Sequence, residues 1–406
     1  MTRQEIGDWA QSVISQKKNV ILEWATGVGK TKQAIDAINN YRKENYATSV
    51  LIVVAEVAHI NNWQKEFQKF GTDIAQDLSC DIHIICYDSL KKYVNQTFNI
   101  LILDECHHSV TDLRLSYLTQ ITADKVIGLS ATIEPEAISC LEHIYGQFTT
   151  LRVTLQEAID WGILPSPKIV LVPLTLDNTT ASETIVFTRG NEKTRKVVNC
   201  SLREKWKYIR DKKNFKDLEL RMLATPLQKY NDFCNNMEYY SNLYFSTKKE
   251  IFKQKWLLYG SQRKTFLGLQ KTEQALQIIQ TIKGYRFICF CTNIEQAESL
   301  GNNNAIHSKK SFSQEQIDAF NKGEQNSLFV VNMLKEGQNL KDIEKGVIVQ
   351  LDGNTRSFIQ RLGRVLRAEN PLIYIIYFKG TQDETYLNKA LEGINKEYII
   401  PYEDNN

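Results

Sequence analysis

Long apolar runs are missing from this 406-residue chain. The longest, such as 372–378, have the length of buried strands, not of membrane spans. The first residues, MTRQEIGDWAQSVISQ, contain no apolar stretch of the signal-peptide kind. The eight cysteines are scattered and form no C-x-x-C pair. Free thiols in a reducing cytosol are therefore expected, with no membrane partner. No segment is biased enough in composition to read as disordered. The net charge is only +3, which by itself excludes little.

What is there is uneven. Between residues 189 and 264, 19 Lys and Arg stand against 8 Asp and Glu, a local balance of +11 that leaves about −8 for the remainder. Such asymmetry points to a polyanion partner for the middle of the chain. The same stretch is rich in aromatics, among them Trp206, Tyr208, Phe215, Tyr230, Tyr239, Tyr240, Tyr244, Phe245 and Trp256. Interleaved aromatics and cations suit nucleic acid, through stacking and backbone tracking. Helical spacing equally favours burial of most of these aromatics in the core of an insertion.

The first third alternates short apolar runs (20–24, 50–55, 82–86, 100–103, 126–129) with stretches of helical spacing such as Ile60, Trp63, Phe67 and Phe70. The last third repeats that grammar, with strands expected at 287–291, 305–307, 328–331, 347–351 and 372–378. Strands buried on both faces and separated by helices predict doubly wound parallel sheets. The middle, after a strand at 169–174 and a polar stretch, reads as mostly helical over 202–282. The expected organisation is an α/β domain over 1–176, a basic, mostly helical insertion over 177–282, and a second α/β domain over 283–406.

Three stretches carry chemistry. In "VILEWATGVGKTKQAI", Gly27 and Gly29 allow a tight turn whose N–H groups can face phosphate. Lys30 supplies positive charge and the Thr31 hydroxyl suits Mg²⁺. Trp24 stands where the strict phosphate-loop pattern has Gly. In "ILILDECHHSV", Asp104 and Glu105 end a strand, where one carboxylate can hold Mg²⁺ and the next can activate water. Contiguous Asp-Glu-Cys-His-His lacks the spacing that wraps a tetrahedral zinc ion, which argues against ligation by Cys106, His107 and His108. In "SFIQRLGRVLRAEN", Gln360, Arg361, Arg364 and Arg367 share a helix, with the arginines on one face. Arginines of a second α/β unit can meet γ-phosphate charge.

Taken in order, these motifs resemble those of superfamily 2 helicases and translocases of the D-E-x-H type, over residues 3–380. Arg3-Gln4 resembles the adenine-recognising Gln motif. "TGVGKT", which spans Thr26, Gly27, Val28, Gly29, Lys30 and Thr31, is similar to motif I, and "VVAEVAHINNWQKEF" to motif Ia. "ICYDSL" resembles the nucleic-acid-contacting segment that follows. "DECH" is similar to motif II, "SAT" to motif III, "FICFCTNIEQAESL" to motif IV, "VVNMLKEGQNL" to motif V and "QRLGRVLR" to motif VI.

The resemblance implies two tandem RecA-like domains with ATP between them. Lys30 and Thr31 would take phosphate and Mg²⁺, Asp104 would hold Mg²⁺, and Glu105 would be the catalytic base. Arg364 and Arg367 would be the arginine fingers. His107 would link nucleotide state to motif III and to Gln360, and Gly337 would belong to the nucleotide-coupling motif V. Where motif V usually reads E-G-x-D, Glu336 and Gly337 are followed here by Asn339. "NNWQKEFQKF" resembles Swi/Snf-type remodelling translocases, whereas "SAT" and "LQEAIDWGILPSP" lean towards DNA-repair, restriction-type and phage recombination helicases. An ATP-driven motor on nucleic acid is expected, DNA before RNA, in the cytoplasm of a bacterium or of a phage-infected cell. A nucleotide-dependent binding switch that does not step needs the same site.

Overall fold

The computed structural model describes residues 1–45, 48–70, 80–307, 313–331, 340, 342–365 and 368–402. The chain forms two compact units. One comprises 1–171, 278–375 and 386–406; the other comprises 172–277 and 376–385.

The first unit begins with a six-stranded sheet: β1 (Asn19–Trp24), β2 (Thr48–Val54), β3 (Cys80–Cys86), β4 (Thr97–Asp104), β5 (Thr122–Ser130) and β6 (Thr149–Val153). Its order is β3-β2-β4-β5-β1-β6 and its pairings are parallel. All six residues of β1 are buried, as a parallel sheet covered on both faces demands. The expected runs recur as strands one to four residues longer at one or both ends, except that Ala55 falls outside β2. The edge strand β6 was not expected: TTLRV alternates and buries only Leu151 and Val153, so it gives no continuous apolar run. In this order β5 lies between β4 and β1. The carboxyl ends of these neighbours therefore bring 104–105, 130 and 24–31 to one edge of the sheet, where α/β sheets bind ligands.

Strand β7 (Lys168–Leu174) leads into the second unit. The segment expected to be a mostly helical insertion opens instead with a three-stranded sheet: β8 (Glu183–Arg189), β9 (Lys196–Ser201) and β10 (Leu218–Ala224), in the order β8-β10-β9. Period-two alternation makes β10. Leu218, Leu220, Met222 and Ala224 point into a small core with Ile185, while Glu219, Arg221 and Leu223 point out. Helices then follow as expected, Pro226–Thr247 and Glu250–Leu269. The first starts at a capping box, with Thr225 and Gln228 exchanging hydrogen bonds and Pro226 at the first helical position. The two helices run back along each other, with Tyr240 stacked on Tyr259 at 5.5 Å and Tyr244 facing Trp256 at 6.4 Å.

In this unit Lys271 is fully buried and meets Asp383 at 2.6 Å. Desolvation holds the ammonium's pKa below its ordinary value, with Asp383 opposing the shift.

The remaining strands are β11 (Phe287–Cys291), β12 (Ala305–Ile306), β13 (Ser327–Val331), β14 (Lys345–Ile348), β15 (Leu372–Phe378) and β16 (Ile399–Pro401). They form a second sheet in the order β12-β13-β11-β14-β15-β7-β16. Helix Thr355–Val365 precedes β15. Among the described residues no helix is long and apolar enough to cross a membrane.

Candidate functional site

The phosphate-loop stretch leaves β1 at Trp24 and enters helix Lys30–Glu44. Gly27 and Gly29 have φ of +90° and +116°, a backbone region open to glycine at little cost. Gly29 caps the helix with no side-chain hydrogen bond, and the N-terminal end of a helix favours a negatively charged ligand. The Lys30 ammonium donates to the Trp24 carbonyl at 2.7 Å. Trp24 replaces the usual Gly without disturbing the turn because it is still a strand residue. It pairs with Val153, and its side chain is only 1% exposed.

Helix Arg3–Gln16 braces this loop. The Arg3 guanidinium donates to the Gly27 carbonyl at 3.0 Å and to that of Ile163 at 2.8 Å. Its neighbour Gln4 lies at the surface and donates to Asp8 at 2.8 Å. The sequence reading used Arg3 only as part of a motif; its bracing contact spans 24 residues and has no local signature.

Strand β4 ends at Asp104, and Glu105 follows in the left-handed region with φ +46° and ψ 56°. A non-glycine residue held there stores strain, and such positions cluster at functional sites. Each oxygen of the Asp104 carboxylate accepts one hydrogen bond. Oδ1 accepts from the Glu105 N–H at 3.1 Å and Oδ2 from the Trp63 indole N–H at 2.8 Å. The Tyr87 hydroxyl donates to the Asp104 carbonyl at 3.1 Å, and His59 Nδ1 lies 4.0 Å from Oδ2. Trp63 and His59 share the buried face of helix Val57–Phe70. Sequence reasoning assigned Trp63 to helix packing and gave His59 no role. A donor-bearing aromatic on the helix after β2 was the available signal.

The rest of "DECHHSV" divides by direction. His107 Nδ1 lies 3.1 Å from the Ser130 hydroxyl, which donates to the Thr132 carbonyl, and 3.5 Å from Glu105 Oε2. Thus His107 joins "DECH" to "SAT". Cys106 is buried beneath Gly128, where an added Cβ would come within 3.2 Å of its sulfur, and burial pushes its thiol pKa far up. His108 packs its ring on His107 at 4.3 Å, and its carbonyl accepts from Arg114.

Helix Thr355–Val365 reaches the phosphate loop: a Cβ added at Gly363 would lie 2.8 Å from the Thr26 Cβ. Arg361 is used internally. It donates to the Gln350 carbonyl at 3.0 Å and to Asp352 at 3.1 Å. Gln360 and Arg364 are described as positions of this helix, not as side chains. Arg367 and Gly337, with Glu336 and Asn339, lie outside the described residues.

One cavity opens beside the phosphate-loop stretch and the end of β4. Gln4, the stretch Thr26–Thr31, Asp104 and Glu105 line it, together with Asp318, Lys322 and Ala368. A helix N-terminus and an ammonium suit polyphosphate, and the Thr31 hydroxyl and Asp104 carboxylate are the hard oxygen donors that Mg²⁺ takes.

Comparison with known proteins bears on the fold and the family of the chain. Residues 2–135 match the model of the type III restriction enzyme res subunit, and residues 270–369 match that of the helicase conserved C-terminal domain. The chain is 23% identical over 386 residues to the DNA 3'-5' translocase XPB2 of Sulfurisphaera tokodaii, covering 91% of this chain and 80% of that protein. Among solved structures, the ATP-dependent Type ISP restriction-modification enzyme LlaBIII bound to DNA shares the fold, with a TM-score of 0.53 at 11% identity, over 99% of this chain and 31% of that one. The two matched models and the translocase relative place the chain in superfamily 2, as an ATP-hydrolysing helicase or translocase of the restriction-type and repair kind.

Proposed function

We propose that the chain is a DNA-directed motor whose ATP site is the cavity between the phosphate loop and "DECH". One observation carries this reading. Residues Thr26–Thr31, Asp104 and Glu105 line one cavity, and the helix bearing Gln360 and Arg364 packs on Thr26. When bound, Mg²⁺·ATP supplies a polarised γ-phosphoryl group for transfer to water. Lys30 and the N–H groups of 26–31 hold the phosphates, and Thr31 and Asp104 take the cation. Gln4, at the cavity wall, recognises the base, and Glu105 removes the proton from the attacking water. Arg364 and Arg367 meet the charge that develops on the γ-phosphate. His107, through Ser130, transmits the nucleotide's presence towards Gln360.

DNA as the track is supported by the name and coverage of the translocase relative and by the basic segment 189–264. Phosphate contacts there would make binding salt-dependent and largely sequence-independent.

The test is ATP turnover with single- and double-stranded DNA and RNA side by side, followed by triplex displacement. DNA-stimulated turnover and ATP-dependent displacement are expected. Turnover without displacement would favour a binding switch, and stimulation by RNA alone would overturn DNA as the track. Lys30→Ala or Glu105→Gln should each lower turnover by roughly 10²–10⁴-fold. Survival of turnover in either variant would sink the assignment of roles.

A further inference from the structure

Two tryptophans are buried in the phosphate-loop half of the first unit, and they differ in one respect. Trp24 is 1% and Trp63 2% exposed. An indole N–H can only donate, and burying it without an acceptor is unfavourable. Among the described residues the Trp24 N–H has no acceptor, so its place is explained by packing alone. The Trp63 N–H instead meets Asp104 Oδ2 at 2.8 Å. Its ring also packs on Phe67 at 5.8 Å, a contact that a phenylalanine would keep.

The torsion that orients a carboxylate is broad, so its direction must be set by partners. Asp104 Oδ1 is fixed by the N–H of the next residue. The other oxygen is fixed from helix Val57–Phe70, through Trp63, and His59 at 4.0 Å is too far to replace it. A carboxylate has about four lone-pair sites, so two hydrogen bonds leave room for a cation. Groups behind a metal ligand set its orientation and its basicity.

We propose that Trp63 is a positioning residue of the ATP site: its indole N–H fixes the Asp104 carboxylate in the orientation that receives the nucleotide-bound cation. This rests on the reading of Asp104 as a cation ligand given above.

The experiment separates hydrogen bonding from packing with two substitutions. Trp63→Phe keeps an aromatic ring and removes the donor. Trp63→His loses the larger ring but places Nε2 at the ring position of the indole nitrogen. Binding of a fluorescent ADP analogue is measured in EDTA and across a Mg²⁺ titration, with thermal melting as the check on folding. Trp63→Phe should bind nucleotide in EDTA like the wild type and need about tenfold more Mg²⁺ for half of the metal-dependent increase, while Trp63→His stays within about threefold. A packing role reverses the order, with Phe close to the wild type and His impaired, and that result overturns the proposal. Should Trp63→Phe not fold, Trp63→His decides alone: a wild-type-like Mg²⁺ requirement supports the proposal, and a tenfold loss overturns it. A wild type whose nucleotide binding ignores Mg²⁺ removes the reading of Asp104, and this proposal with it.

Discussion

The six-stranded sheet and the three-stranded sheet bury their residues differently. β1 is buried along its whole length, whereas β10 alternates between core and surface. A sheet covered on both faces can offer chemistry only at its strand ends, and there Trp24–Thr31, Asp104–Glu105 and Ser130 are gathered. A sheet with one open face offers surface instead. Val186, Val197 and Leu223 lie exposed, as does Trp206 on helix Lys205–Arg210, flanked by the cations of Lys205 and Arg210 at 5.9 Å. Under the proposed function this contrast is a division of labour, with catalysis at buried strand ends and polyanion contact on an open, basic surface.

That contrast can be broken by substitution. The largest stability effect belongs where the open-faced unit buries a charge. Lys271→Ala should cost about 3–5 kcal/mol in denaturant unfolding, because the buried Asp383 loses the opposite charge it meets at 2.6 Å. Adding Asp383→Leu should recover much of the loss; no recovery would mean that the pair does more than neutralise itself. Next comes the two-sided core. Leu101→Ala in β4 should cost roughly 2–5 kcal/mol, while Val186→Ala on the open face of β8 should stay within about 0.5 kcal/mol. Equal losses would erase the distinction between the sheets.

Binding tests the other half. Neutralising Lys205, Lys207 and Arg210 together should weaken nucleic-acid affinity and flatten its log–log salt slope by about 0.9 for each phosphate that is no longer neutralised. A slope like the wild type's would remove this surface from the interface. The smallest effect concerns acid stability. Hydrogen bonds from the Thr179 hydroxyl and N–H, then from Thr180, lower the Asp177 carboxyl pKa from 3.8 to about 2. A depressed folded-state value means that the contribution is full above the unfolded value and lost as pH falls through about 2. Asp177→Asn should therefore differ from the wild type near neutral pH and converge with it at the acid end. A gap that persists there would assign the effect to something other than ionisation.

Much of this was legible in the sequence because it is local. Continuous apolar runs marked the strands of both parallel sheets. The turn glycines and Lys30 marked the phosphate loop, and the strand ending at Asp104 marked the acidic edge. Elements with weak local patterns were missed. β6 buries only Leu151 and Val153, β16 is three residues long, and β8 to β10 carry their alternation within a run of charges. Trp24 shows the opposite case, a departure visible in the sequence whose harmlessness was not. Only its pairing in β1 and its burial explain it.

By itself the sequence determined which residues could do chemistry, because residue type and short spacing set what a loop or a strand end can hold. The tertiary structure decided how those residues are aimed. Trp63 meets Asp104 across 41 residues and Arg3 meets Gly27 across 24. Gly363 lies against Thr26 from the other end of the chain. Hydrogen bonds and close approaches depend on distance in space, and spacing along the chain does not fix that distance until the sheets have formed.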